Sequence, residues 1–464
     1  MSGPGRRPGR RPGRRLRFPR PFATLRAAVL AASLAATGGL APPAQAGISV
    51  IRDAEIESDI RALAAPVWRV AGLESADVAV YLVHDNQLNS FVTGGQAIYF
   101  NTGLLLRAEN ANQLLGVIAH ETGHITGGHL VRSREAVRNA SIEMMIAMAL
   151  GAAAAVAGGS GAPLLGAAGV AERSLQQFSM AQESTADHAA LNMLDRACQS
   201  ARGLLRFFEI LQSNELLAGD RRDIWGRTHP LTAQRIQYLR DHVQRARCSN
   251  APEPADAAGR LRRIQVKLRA FLDPPANTLA AFPEADTSAL ARYARAIAYY
   301  RRPDLARALP AIDGLIRDSP DNPYYRELKG QMLFENGRVR EAIRPYEDAV
   351  RLAPSAPLLR LALSQAYIES GDPALNKRAI AYLDDVSREE GRNGGQVWRL
   401  LATAYGRDNQ IGMAALSLAE EALAMRNKKT AIQQAVRARQ LLARNTPAYL
   451  RAEDIHREAD RLDD

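Results

Sequence analysis

Two cysteines, Cys198 and Cys248, are all the thiols in a chain of 464 residues. They cannot build a four-thiolate zinc site, and their spacing matches no redox pair. In an oxidising compartment they can bridge each other, and two buried free thiols fit the sequence as well. Long apolar runs are missing too. Ala27–Leu40 is too short for a comfortable bilayer span. Met144–Ala171 is interrupted by Gly158-Gly159-Ser160-Gly161-Ala162-Pro163, so each piece falls short of the roughly 20 residues a span needs. Acidic residues are absent from residues 1–46, which hold nine arginines. With those nine set aside from the 60 basic residues, 51 remain against 49 acidic ones, and the net charge of +11 shrinks to near neutrality. The basic excess is therefore not the footprint of a nucleic-acid-binding surface.

Residues 1–46 have the three parts of a secretory signal peptide: a basic start, an apolar stretch, and Ala44-Gln45-Ala46 before Gly47. No cysteine immediately follows the expected cleavage point, so a lipid-anchored start is not expected. Arg14-Arg15 resembles a twin-arginine pair, but the Arg-Pro-Gly repetition around it produces such pairs without meaning. The expectation is export to the periplasm by a cleavable signal, with an uncleaved anchor as the alternative.

Against these absences stands one dense stretch, Gly116–Leu130, which contains His120-Glu121-Thr122-Gly123-His124. On a helix, residues four apart share a face, so two imidazoles in H-E-x-x-H can hold one zinc ion. Glu121 sits beside the first histidine, placed to act as general base on a water that zinc makes acidic, with a pKa of about 7. Asn110 and Gln113 form a capping-box-like start for that helix, and Leu114, Val117 and Ile118 give it an apolar face. The pentapeptide also occurs by chance in long chains, and the expectation of a zinc-dependent peptide hydrolase with one metal ion per chain rests on the motifs that accompany it. The motif supplies two ligands, and two residues compete for the third. His129 is one residue short of the extended H-E-x-x-H-x-x-G-x-x-H pattern, and on a continued helix it would lie about 140° from His124. Glu183, on the helix expected over Ser174–Asp195, would complete a two-histidine, one-glutamate set, with Asp187 one turn further on.

Around the motif, Ile48 to Ala71 has helical periodicity with Pro66 near its end, and Val78–Val83 and Ala97–Asn101 read as strands. Gly94-Gly95 marks a turn between them. The strand leading into the zinc helix, with Gly95, Ala97, Ile98 and Tyr99, is the candidate to hold a peptide substrate as an added strand. The Ala/Gly/Met-rich segment 144–171 reads as a helical hairpin lying against the cleft or touching a membrane surface, or as a plain buried hairpin.

Several blocks together resemble the zinc metallopeptidase family of HtpX and the CAAX prenyl endopeptidases. They are Phe91-Val92-Thr93-Gly94-Gly95, Gly103-Leu104-Leu105, the H-E-x-x-H, Glu183-Ser184-Thr185-Ala186-Asp187 and His229-Pro230-Leu231-Thr232. The resemblance covers about residues 50–250. It implies Glu183 as third ligand, Asp187 as the carboxylate that orients a ligating histidine, and a loop beside the active site that carries His229. Three protein ligands leave zinc one open position, so His229 can act as a regulatory latch on it, stabilise the oxyanion, or simply pack in the His-Pro turn. The signal peptide and the helical second half are closest to the BepA-like periplasmic branch. In that branch the resemblance implies degradation of unfolded or misassembled outer-membrane proteins, with the repeats contacting the β-barrel assembly machinery.

Beyond the Pro/Ala/Asp-rich Asn250–Gly259, the chain reads helical with a 34-residue period. Tyr324–Pro357 places Gly330, Gly337, Ala342, Tyr346, Ala349 and Pro354 where a tetratricopeptide repeat needs small residues, an aromatic and a closing proline. Gln396–Lys429 gives a second unit, and Ser288–Pro323, Leu358–Gly395 and Thr430–Asp464 give looser ones. The expected organisation is a signal peptide (1–46), a zinc metallopeptidase domain (47–249), a linker and connecting helix (250–285) and a repeat domain (286–464). The fold class is α+β but mainly α, with a small sheet beside the H-E-x-x-H helix, followed by an α-solenoid. The competing function is a chaperone or assembly scaffold whose proteolysis is secondary or latent.

Overall fold

The computed structural model describes residues 49–93, 96–133, 135, 162–218, 229–390 and 395–462. The signal peptide, Gly95 and most of the Ala/Gly-rich hairpin lie outside these residues.

The first helix starts later than its periodicity suggests. Val50–Ile51 form β1, and helix α1 runs over Ala54–Ala71. Asp53 caps it, accepting from Ile56 N at 2.9 Å, and Gly72 closes it in the left-handed conformation. Strands β2 (Ala79–Val83), β3 (Ser90–Thr93) and β4 (Ala97–Asn101) complete a sheet of order β1-β2-β4-β3. The β2–β4 pair is parallel and the two outer pairs are antiparallel. β3 lies between the two strands expected from the sequence, where only the Gly94-Gly95 turn was marked.

After the sheet come α2 (Thr102–Arg107), α3 (Ala111–Thr126) and α4 (Ala162–Arg196). Asn110 caps α3 by accepting from Gln113 N at 2.9 Å, while Gln113 Oε1 accepts from Glu109 N at 2.6 Å. α4 is one 35-residue helix. The residues expected to form the second hairpin arm therefore continue into the helix that carries Glu183. Helices α5 (Arg202–Ala218) and α6 (Ala233–Arg245) follow. Cys198, just after α4, is disulfide-bonded to Cys248, just after α6. The bridge ties together the ends of two helices that meet at the site.

The segment expected as linker and connecting helix holds α7 (Ala257–Leu272) and α8 (Pro275–Ala281). Leu261, Ile264 and Leu268 of α7 join the core around the sheet and α3, while Val266 and Ala270 join the core of the first helical pairs that follow. Helical pairs then follow in order: α9 (Ala289–Arg301), α10 (Leu305–Asp318), α11 (Pro323–Glu335), α12 (Val339–Leu352), α13 (Pro357–Glu369), α14 (Pro373–Glu390), α15 (Gly395–Arg407), α16 (Ile411–Ala424), α17 (Lys428–Leu441) and α18 (Pro447–Asp460). A Cβ on Gly330 would come within 2.7 Å of the Tyr346 ring, which explains the small residue there. The described residues form one compact unit. No helix among the described residues is long and apolar enough to cross a membrane.

Candidate metal centre

α3 and α4 cross where each has a small residue. A Cβ added to Gly123 would come within 2.7 Å of Ala186 O, so only glycine permits this approach. The crossing brings the Glu183 and Asp187 side chains of α4 against the histidines of α3. His120, His124, Glu183 and His229 each offer a buried ligand atom, all within 4.8 Å of one another. His120 Nε2 and His124 Nε2 lie 3.2 Å apart, and each is 3.3–3.4 Å from a Glu183 oxygen. His229 Nδ1 is 3.1 Å from both Glu183 oxygens.

The outward nitrogens of the two motif histidines are held from behind. His120 Nδ1 meets Asp187 Oδ1 at 3.0 Å, and His124 Nδ1 meets His129 Nδ1 at 3.0 Å. Both Nε2 atoms are thereby turned inward. α3 ends at Thr126 and Gly128 takes φ +62°, so the chain doubles back and His129 supports His124 from outside the ligand group. A helix continued past Thr126 would have pointed it away.

Arg235 of α6 is a site residue that sequence reasoning missed. Its guanidinium meets Asp187 Oδ2 at 2.6 Å and Oδ1 at 2.9 Å, and lies 3.1 Å from Glu183 Oε2. It also donates to Pro230 O at 2.7 Å and stacks on the Phe208 ring. One buried cation thus joins the carboxylates of α4 to the loop bearing His229. Nothing in the pattern of α6 marks it, except an arginine one turn after the Thr232 cap on a helix that must bury a face.

The titration behaviour follows from this packing. Burial would raise the carboxyls, but His229 and His120 hold Glu183 well below the usual range. Arg235 and His120 likewise hold Asp187 low against the effect of its burial. Burial and the neighbouring His120 push His124 down to about 2. His120 goes the other way: burial disfavours its charge, but Asp187 and Glu183 raise it to about 9. An ionised carboxylate beside imidazoles is the N/O donor set that a divalent metal ion takes, so the residues fit one.

Glu121, fully buried, has one oxygen engaged and one not. Oε1 accepts from Ser90 Oγ at 2.7 Å, while Oε2 has no hydrogen-bond partner among the described residues. Behind it, Trp68 Nε1 donates to Thr122 Oγ1 at 3.1 Å, fixing α3 against α1.

The strand expected to take substrate is corrected. Ala97, Ile98 and Tyr99 lie on β4, whose two edges are already paired with β2 and β3. An internal strand has no free backbone groups to offer a peptide. β3 is the outer strand on this side, and its Ser90 carbonyl faces His229 Nε2 at 3.3 Å. Tyr99 instead stacks between Tyr81 and Phe91 across the sheet.

Residues 51–243 match the family model described as Peptidase family M48. Residues 277–323, 293–357 and 333–404 match tetratricopeptide repeat models. The chain is 24% identical over 361 residues to the Beta-barrel assembly-enhancing protease of Yersinia pestis, covering 73% of this chain and 71% of the relative. To the protein of that name in Escherichia coli (strain K12) it is 24% identical over 353 residues, covering 72% and 69%. Metalloprotease YcaL of Escherichia coli (strain K12) is 30% identical over 166 residues, 35% of this chain and 61% of the relative.

Proposed function

From the premise that this chain is a metalloendopeptidase joining a peptidase M48 domain to tetratricopeptide repeats, we propose that it is an exported, zinc-dependent protease. Its clients are unfolded or misassembled outer-membrane proteins in the periplasm. The observation that carries this reading is the buried group His120, His124, Glu183 and His229, backed by Asp187 and Arg235. We assign one zinc ion per chain to His120, His124 and Glu183. Zinc supplies Lewis-acid polarisation of the scissile carbonyl and acidification of water. The Glu121 carboxylate takes the proton of the attacking water and returns it to the leaving amine. Asp187 holds His120 in the tautomer whose Nε2 faces inward.

A peptide aligns along the outer edge of β3, pairing with the backbone of Ser90 and Val92. His229 is assigned as a latch. Its Nδ1 sits in the ligand group while its Nε2 lies against the Ser90 carbonyl, so the same ring competes with substrate at both places. An oxyanion-stabilising histidine is the alternative role. The repeats bind the client or the β-barrel assembly machinery, in keeping with the names of the relatives. The domain limits proposed are 1–46 for the signal, 47–249 for the peptidase, 250–285 for the connection and 286–464 for the repeats.

The test is metal analysis of the purified protein with a casein digest, with and without chelator, beside Glu121→Gln. Zinc near one per chain, chelator-sensitive cleavage and an inactive, zinc-retaining Glu121→Gln are expected. Full activity of that variant would sink the mechanism.

A further inference from the structure

We infer that Ser90 is a positioning residue for the general base, fixing how the Glu121 carboxylate is set against the ligand group. The inference rests on the assignment of Glu121 as base. A carboxylate on a helix can rotate about its terminal torsion, and either oxygen can take a proton. Here that freedom is removed. Ser90 Oγ donates to Oε1 at 2.7 Å, both residues are 0% exposed, and water does not compete for the bond. A hydrogen bond to an ionised acceptor in such a setting is short and strong. Oε2 has no hydrogen-bond partner among the described residues, and the Ser90 bond fixes how the two oxygens are set against the ligand group, with Oε1 3.7 Å from His229 Nε2.

Placement on β3 gives this bond a second consequence. Along an antiparallel strand, backbone carbonyls face alternate sides. Asn89 O bonds Asn101 N of the neighbouring strand, whereas Ser90 O faces outward, towards His229. The residue whose carbonyl lies on the peptide-pairing edge is therefore the residue whose hydroxyl aims the base. Substrate registration and base orientation share one backbone position. A shift of β3 that misplaces the peptide also misplaces Oε1.

Removing the hydroxyl should lower turnover without weakening peptide pairing, because the backbone edge remains. Ser90→Ala is expected to lower kcat about 10- to 100-fold, the range for a lost bond to a charged group. KM for a quenched fluorescent peptide should stay within about twofold, and metal content should be unchanged. Ser90→Thr keeps the hydroxyl and is expected to recover kcat to within about threefold. In chelator-treated protein, Ser90→Ala and Glu121→Ala should be non-additive in unfolding free energy, because they remove the same bond. A Ser90→Ala kcat within threefold of wild type overturns the inference. So does equal impairment of the Ala and Thr variants, loss of metal in Ser90→Ala, or strict additivity. Glu121→Gln measured alongside separates the two levels. If it is inactive while Ser90→Ala is fully active, only the Ser90 assignment falls; if it is active, the reading of Glu121 falls first.

Discussion

Arg235 is the residue whose replacement says most about how the site is held. Its guanidinium spans Asp187, Glu183 and the Pro230 carbonyl from a nearly dry position, 6% exposed. Arg235→Leu removes the cation and keeps the apolar bulk over Phe208. Among the described residues, Asp187 is then left as a buried carboxylate whose remaining partner is His120. Breaking a buried ion pair by removing one member costs about 3–5 kcal/mol. Arg235→Lys keeps the charge, but a single ammonium cannot reproduce the two-pronged contact with Asp187 and also reach Pro230 O. Its cost should be smaller, about 1–3 kcal/mol. Metal affinity should follow the same order. A mis-set partner behind a ligating histidine typically weakens binding 10- to 100-fold, and Arg235→Leu should fall in that range. Chemical denaturation of chelator-treated protein measures the first quantity, and competition with a chelating dye the second. Unfolding free energy of Arg235→Leu within 1 kcal/mol of wild type, with unaltered metal affinity, would refute the reasoning.

Other substitutions separate the roles of neighbouring groups. Glu183→Ala should lose metal and activity, whereas His129→Ala should keep metal with roughly tenfold weaker binding, since it removes only the partner of His124 Nδ1; the reverse pattern in metal analysis would exchange their roles. His229→Ala should raise basal casein cleavage with metal content unchanged if the ring is a latch, and cleavage below wild type would reject that role. Burial, with Asp53 and Glu55 nearby, pushes the Glu327 carboxyl up to about 7 despite Lys267. A raised folded-state value means the native protein holds that proton more tightly than the unfolded chain, so stability from this group falls as pH rises from about 4.5 through 7. Glu327→Gln should therefore match wild type near pH 4.5 and exceed it above pH 7 by about 1–2 kcal/mol in urea titrations, a figure reduced for partial exposure.

What could be read from the sequence divides by distance along the chain. His120, Glu121 and His124 were legible because a helix turns a spacing of four into a shared face. Glu183 and Asp187 had the same local logic, and family resemblance joined them to the first helix. Arg235 had no such route. Its partners are 48 and 52 residues away, and only the packing of α6 on α4 selects it over the other arginines of the second half. β3 was hidden for a different reason: four residues beside two glycines carry too little periodicity to show a strand. That short strand decides which edge is open, so the substrate position was misread with it. His129 stays outside the ligand group, as the preference for Glu183 expected, but its place behind His124 was not legible, because it depends on the left-handed Gly128 that turns the chain back.

The relation between the two halves follows from a single helix. At its N-terminal end α1 buries Glu55, Glu57 and Asp59 against cations and hydroxyls from elsewhere in the chain. Lys267 of α7 reaches Glu55 at 3.1 Å and Asp53 at 2.8 Å. Tyr293 of α9 donates to Glu55 at 2.7 Å, Arg263 of α7 grips Asp59, and Arg52 bridges Glu57 to Glu390 of α14. Towards its other end the same helix holds α3 through Trp68. An 18-residue helix is about 27 Å long and stiff, so the repeats and the metal-binding helix are fastened to opposite ends of one strut. Ending the chain near Asn250 would strip Lys267, Arg263 and Tyr293 from buried carboxylates and remove Leu261, Ile264 and Leu268 from the peptidase core. Uncompensated buried charge and a cavity together cost more than the 5–15 kcal/mol that holds a typical domain folded. The repeats are therefore part of what folds the protease, and the proposal that they bind clients has to be tested by substitutions on their exposed faces rather than by removing them.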